Sequence, residues 1–424
     1  MWSVSALAQS SYFPSPNQWD TLSAQELNWD SNILQNLHHW LDTSGTRAFI
    51  ILEDGKIAKE WYFNGFTVDS LWYWASAGKS LMSTLIGMAQ EQGYLSIDSS
   101  AQHYLGTGWT QMPANQERNI TVRHQLTMTT GLDDGVANLD CTDPSCLTYL
   151  ADAGTRWSYH NGPYTLLHDV LQNATGMNTN AFILQNLFPT TRISGFYLPI
   201  DSYLKVFFST ARAMARFGLL VANNGYWDGT AVLGDTAYFQ AMTTPSQSHN
   251  LAYGYLWWLN GQGSYMVPYI PMVFPGSLFS NAPADMICAL GMDDQKIYVV
   301  PSKNWVVIRM GEAAGGFTPA LSGFDQTLWY WLNQLETIGV DEENQGEESM
   351  QYRIWPQPAS DVLHIETNEP ATIILYNAQG QCLENLNTPR NLHEFNTATW
   401  PEGMYVVLIR TGALTRRLSI MVSH

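Results

Sequence analysis

Ser76 and Lys79 stand three residues apart in WASAGKSLMSTLIG, residues 74–87, where a loop runs into an apolar helix. On a helix that spacing sets two side chains on one face, within a turn of each other. A desolvated amine so placed can take the proton of a serine hydroxyl, and the positive end of the helix favours negative charge developing nearby. A helix cap is the plainer role for Ser76. A capping box, however, would carry Glu or Gln where Lys79 stands, and a cation in the first turn opposes the helix dipole. The same Ser-x-x-Lys spacing recurs at Ser202 and Lys205, in DSYLKVFF, without a comparable apolar helix behind it.

Tyr159 and Asn161, in RWSYHNGPY, are the second candidate pair. From a loop, both can face one cleft, the phenol serving proton transfer and the amide orienting an amine or a substrate. His160 between them either lines that cleft or is a structural hydrogen-bonding residue. Tyr62 and Asn64 repeat the spacing at the end of a hairpin, where a structural role fits better.

These residues need a rigid frame. AFIILEDGKIAKEWYF, residues 48–63, reads as two strands joined at Asp54-Gly55. The apolar positions Leu81, Met82, Leu85, Ile86, Met88 and Ala89 surround the next helix nearly completely, so it should be central and buried. Residues 95–280 look largely helical, with segments such as PYTLLHDVLQNATG and TARAMARFGLLVANNG. Three antiparallel strands follow over 285–311, then a helix over 321–338. The expected fold is α+β: one antiparallel sheet assembled from both ends of a domain, flanked by helices, with a helical region inserted. The acidic run DEENQGEE reads as a solvated linker, and the short alternating strands beyond it as a small β-sandwich. The expected segments are 1–29, a truncated export signal and N-terminal segment; 30–340, the large domain; 341–350, the linker; and 351–424, the sandwich. The export reading rests on Ala6-Leu7-Ala8, behind a short apolar stretch without a basic start; a terminus without meaning is the alternative.

Composition narrows the partners. Thirty-seven acidic against 19 basic residues give a net charge of −18, which repels nucleic acid and anionic membranes. No run is long and apolar enough for a membrane span. Of the four cysteines, Cys141 and Cys146 in DCTDPSC are close enough to bridge a small loop in an oxidising compartment, a pairing that spacing leaves open. Cys288 reads as a packed core thiol, and Cys382 has no obvious partner. Trp72, Trp74, Trp257 and Trp258 are either cleft walls or ordinary core.

Ser76 and Lys79 followed by Tyr159-x-Asn161, between an N-terminal hairpin and a C-terminal meander, resemble the serine β-lactamase and penicillin-binding-protein superfamily, in its class C-like branch. ITVRHQLTMTTGL at 120–132, ARFGLLVANNGYWDG at 215–229 and YGYLWWLN at 253–260 look like landmarks of that family. The resemblance spans roughly 30–338. It implies a secreted serine hydrolase that cleaves an ester or amide through an acyl-enzyme on Ser76, with Lys79 and Tyr159 moving the proton and Asn161 orienting the amine or substrate. It implies no metal or organic cofactor, and no histidine pattern of the metallo-β-lactamases is present.

The family's third motif, Lys-Thr-Gly or a variant, falls on Ala289-Leu290-Gly291, without its basic residue; a register on Met292-Asp293-Asp294 would put an acid where glycine is needed. The resemblance gives Gly291 the role of admitting substrate backbone, and pairs the N–H of Met292 with that of Ser76 as an oxyanion hole. Losing the basic residue points away from β-lactams and cell-wall peptides, toward an uncharged ester or amide. A non-catalytic binding module is the alternative from another class. The tail, with IWPQPASDVLHIE and WPEGMYVVLIRTG, resembles the sorting domain of type IX secretion substrates, which implies the secretion machinery as partner and a secreted or cell-surface location. A carbohydrate-binding or adhesion sandwich is its alternative.

Overall fold

The β-branched run of Thr46–Glu53 (β1) turns at Asp54-Gly55, where Asp54 takes φ 51°, and returns as Lys56–Tyr62 (β2). The structure, a computed structural model, describes residues 11–314, 321–335, 352–356, 359–377, 382–411 and 414–422. The export-like segment 1–9, the acidic run, Gln357-Pro358 and the turn Ala378-Gln379-Gly380 lie outside the described residues.

Ser31–Thr43 (α1) precedes the hairpin, and Gly78–Glu91 (α2) follows it. Further along come Asn161–Thr165 (α3), Ala211–Ala222 (α4), Trp258–Leu259 (β3), Ile287–Gly291 (β4), Gln295–Val300 (β5), Trp305–Gly311 (β6) and Gly323–Leu332 (α5). The central sheet runs β2-β1-β6-β5-β4-β3, and its paired neighbours are antiparallel. It is the expected sheet, built from both ends of the domain, with the inserted region between β2 and β3. That region is less helical than expected. It holds a three-stranded sheet of Trp72–Tyr73, Lys205–Ser209 and Gly195–Pro199, and a further hairpin of Ser264–Val267 with Ile270–Pro275 lies between β3 and β4.

Helices cover both faces of the central sheet, so β5 and β6 bury every residue rather than alternate. Successive residues of β5 point to opposite sides. Ile297 meets α4 near Gly218, where an added Cβ would stand 2.3 Å from Val306, so only glycine lets this helix lie so close. Lys296 and Tyr298 face the other way and reach Asp325 of α5, at 2.9 Å and 2.5 Å. Lys296 also pairs with Asp294 at 3.2 Å, all three charges being fully buried. Helix α5 starts where Ser322 caps it at the Phe324 N–H and Asp325 closes the capping box from inside, and it ends at Leu332; 336–338 of the expected helix lie outside the described residues. Helix α2 is buried from Gly78 to Ala89, as its all-round apolar pattern requires.

Two compact units, 1–338 and 339–424, divide the chain. The second has its own core, including Leu363, Ile365, Ile373, Leu375, Val407 and Ile409. Its five strands join in one hydrogen-bonded set, with the long strand Val362–Asn377 pairing with three others.

Replacing Lys296 with methionine leaves Asp294 and Asp325 buried without their shared cation. The expected cost is about 3–5 kcal/mol, read as a lower midpoint in urea unfolding.

Candidate active site

Ser76 lies in a single 3₁₀ turn, Ala75–Ala77, that feeds directly into α2. Neither the turn nor the helix has a side-chain cap, so Ser76 is not a capping serine. What holds the turn is Trp74. Its ring is fully buried, its Nε1 donates to Ser209 Oγ at 2.8 Å, and its N–H donates to the Phe207 carbonyl at 2.8 Å. Between that anchor and Ser76 the chain bends sharply through Ala75, at φ 46°, a left-handed conformation that costs a non-glycine residue roughly 1–2 kcal/mol.

Lys79 Nζ stands 2.9 Å from Ser76 Oγ. The amine is almost wholly buried among aromatic faces, 4.5 Å from the ring centre of Tyr164 and 5.1 Å from that of Tyr159. Burial disfavours its charged form and pulls its pKa down to about 7, a drop partly opposed by the Asp140 carboxylate. A lysine in this state is largely able to accept a proton at neutral pH.

Tyr159 hydrogen-bonds Ser76 through its hydroxyl, and meets Lys79 with its ring face. Burial raises its pKa, and the Ser76 bond only partly offsets this, so at neutral pH it is a phenol and not a phenolate. In that state it can donate or relay a proton. Trp258 stacks on it at 6.0 Å, with Trp157 and Tyr253 completing an aromatic wall. Of the four tryptophans singled out, Trp258 thus backs the site and Trp74 anchors its loop, while Trp257 stacks on Phe217.

Asn161 begins α3, and its Nδ2 donates to Asp140 Oδ1 at 2.7 Å, leaving Oδ1 buried without a partner. His160 is 2% exposed, and neither ring nitrogen has a partner, so it is not the hydrogen-bonding residue considered from sequence. Burial lowers its pKa to about 4.

Gly291 ends β4 against the serine turn. An added Cβ would stand 2.3 Å from the Trp74 carbonyl and 3.2 Å from Ala75 Cβ. The glycine is therefore required by the protein's own nucleophile loop, a closer constraint than the admission of substrate. Met292 follows in a tight turn in which Asp293 and Asp294 are both left-handed. Buried Arg309 holds this turn through the Asp293 and Asp294 carbonyls, and Tyr73 donates to Asp293 at 2.8 Å. On the β3 side only Ile287 and Cys288 of β4 have ladder partners, so Ala289–Gly291 present a free edge there among the described residues.

The decoys stay apart. Lys205 pairs with Asp169 at 3.5 Å, and Tyr62 donates to Glu60 at 2.5 Å. Cys141 and Cys146 are disulfide-bonded. Sequence reasoning missed Asp140 and Tyr164, although both fall in quoted segments, DCTDPSC and RWSYHNGPY. No group of His, Cys, Asp and Glu suited to a metal ion occurs among the described residues.

A buried Ser-Lys helix beside an antiparallel sheet, with a tyrosine on the serine, defines the β-lactamase and penicillin-binding-protein fold class. Residues 44–322 match the beta-lactamase family, and the chain belongs to it. Residues 353–423 match the secretion system C-terminal sorting domain, which marks the protein as secreted or cell-surface and implies contact with the secretion machinery. Comparison with curated proteins gives no match. Among solved structures, a provisionally assigned 6-aminohexanoate-dimer hydrolase from Bacillus anthracis is similar at 17% identity and TM-score 0.56, over 76% of this chain and 87% of its own. A provisionally assigned β-lactamase from Bacteroides dorei gives 17% and 0.56, over 73% and 99%. A β-lactamase/D-alanine carboxypeptidase from Pseudomonas syringae gives 17% and 0.51, over 72% and 98%. At these identities the likeness is one of fold.

Gly291→Ala forces the strand and the serine turn apart. The expected loss is roughly 1–3 kcal/mol of stability in urea unfolding, with slower labelling of Ser76 by a serine-reactive probe.

Proposed function

We propose that the protein is a secreted serine hydrolase that cleaves an uncharged ester or amide through an acyl-enzyme on Ser76. The observation that carries this reading is the 2.9 Å contact between Ser76 Oγ and a buried Lys79 amine whose pKa sits near neutrality. Ser76 Oγ attacks the acyl carbonyl while its proton passes to Lys79 Nζ. The Tyr159 hydroxyl, bonded to Ser76, relays the proton now on Lys79 to the leaving oxygen or nitrogen as the carbonyl re-forms, which leaves the amine neutral again. The Ser76 and Met292 N–H groups hold the oxyanion. Water then attacks the acyl-enzyme, losing a proton to Lys79, which returns it to Ser76 Oγ as the acyl bond to Ser76 breaks.

The surroundings favour an apolar, uncharged acyl donor. The strand carrying Ala289-Leu290-Gly291 has no basic residue to receive a carboxylate. Tyr269 stands at the tip of the 264–275 hairpin. It is 67% exposed, and Met272 and Val273 follow it at 59% and 58%.

A fluorophosphonate probe should label the wild type and not Ser76→Ala; equal labelling of both removes Ser76 as nucleophile, and no labelling of either favours the binding-module reading. p-Nitrophenyl esters should be hydrolysed well and penicillins poorly. Comparable rates on the two would return the protein to the β-lactamases and DD-peptidases.

The labelling rate should also depend on pH through Lys79. The amine accepts a proton only when unprotonated, so the rate should rise with pH and reach half its plateau near 7. A rate still climbing toward pH 10 would show that Lys79 is an ordinary lysine.

A further inference from the structure

Residues 139–147 pack backbone to backbone against the turn that carries Tyr159 and Asn161. The Gly162 N–H donates to the Leu139 carbonyl at 2.8 Å, and an added Cβ at Gly162 would stand 2.4 Å from the Cys141 carbonyl oxygen. The Cys141–Cys146 disulfide closes this loop, the Asp140 N–H donates to Asn138 Oδ1 at 2.9 Å, and Tyr203 donates to Asp143 at 2.7 Å. Asp140 is therefore held firmly, one residue before the disulfide, with its carboxylate on the Asn161 amide.

That contact decides something about Asn161. A primary amide has a donor end and an acceptor end, and a carboxylate accepts only. With Nδ2 committed to Asp140, the Oδ1 end is left buried and open to a donor. A side chain at position 140 that can only donate would turn the amide round.

The same carboxylate acts on Lys79. The groups around that amine are Ser76 on its own turn, Tyr159, Tyr164 of α3, and Tyr197, whose hydroxyl donates to the Gly78 carbonyl at 2.7 Å. His168 packs against Tyr164 and Tyr197, and Tyr253 against Tyr159. Burial keeps all of these neutral near pH 7, raising the tyrosines and lowering His168 to about 3. His160, lowered to about 4, is neutral too. Among the described residues, Asp140 is the charged group that acts on the Lys79 amine.

We propose that Asp140 is a positioning residue of this site: fixed beside the disulfide and 2.7 Å from the Asn161 amide, its carboxylate sets which end of that amide faces the cleft. The proposal rests on the acyl-enzyme reading for its kinetic part only, since the state of Lys79 can be observed without turnover.

Two variants of the full chain separate the roles. Asp140→Asn keeps the shape and an acceptor oxygen but removes the charge; Asp140→Ala removes both. Lys79 is followed by NMR in protein carrying ¹³C-labelled lysine, its signal assigned by its loss in Lys79→Met. Its titration midpoint should fall by about one pH unit in Asp140→Asn. The acid limb of fluorophosphonate labelling should move down with it, while the plateau rate stays within about threefold of wild type. In Asp140→Ala the limb should move equally and the plateau should drop by roughly tenfold, the worth of one orienting hydrogen bond. A Lys79 midpoint unchanged in Asp140→Asn overturns the charge role, and equal plateaus in the two variants overturn the orienting role. If wild type is never labelled, the acyl-enzyme reading fails and takes the orienting role with it, while the NMR midpoint still decides the charge role. Asp140→Asn alone tests the charge should the alanine variant fail to fold.

Discussion

An amine buried beside a hydroxyl is the constraint around which this domain is arranged. Water must be kept from Lys79 for its charge to be disfavoured, and the protein does this with aromatic faces rather than with a carboxylate in contact. Tyr159 and Tyr164 lie over the amine, with Trp157, Tyr253 and Trp258 behind Tyr159. A salt bridge at this point would have held the lysine charged and useless as a base. The all-round burial of α2 follows from the same need, because the residue that must stay dry sits in its first turn.

The sheet supplies the second half of the arrangement, and it does so with buried charge of the opposite kind. Lys296 joins β5 to α5 through two carboxylates, and Arg309 gathers the carbonyls of the turn after Gly291. These fully satisfied groups fix the end of β4 where Gly291 touches the Trp74 carbonyl. Two left-handed aspartates in one turn are tolerated because so many bonds converge on it. The domain thus holds one buried lysine on a hydroxyl and aromatic faces and another between two carboxylates.

Much of this was legible in the residues. The Asp54-Gly55 hairpin, the meander and the apolar pattern of α2 follow from period and turn chemistry, and Ser76, Lys79, Tyr159 and Asn161 from spacing combined with resemblance. What stayed hidden is what depends on approach in space. Asp140 is far from Asn161 along the chain, and nothing in its type distinguishes it from the other acids. The left-handed bend at Ala75 leaves no mark, since alanine is not a residue that such a bend selects. The approach of the Trp74 carbonyl to Gly291 stayed hidden, because a sequence shows that a strand ends in glycine but not which backbone arrives there. The small sheets of the inserted region escaped because two- to six-residue strands carry too little periodicity to be told from loops.

The burial of Lys79 also has a thermodynamic side. Its pKa is near 7 in the folded chain, against an ordinary value of 10.5. Between those values the unfolded chain binds a proton that the folded one does not, so this residue's contribution to stability improves as pH rises from about 7 toward 10.5. Below that window both states are protonated and the fold bears the whole cost of a buried ammonium. A methionine or leucine at this position would carry no such cost, so the domain keeps at the mouth of its central helix a residue that weakens the fold below about pH 7.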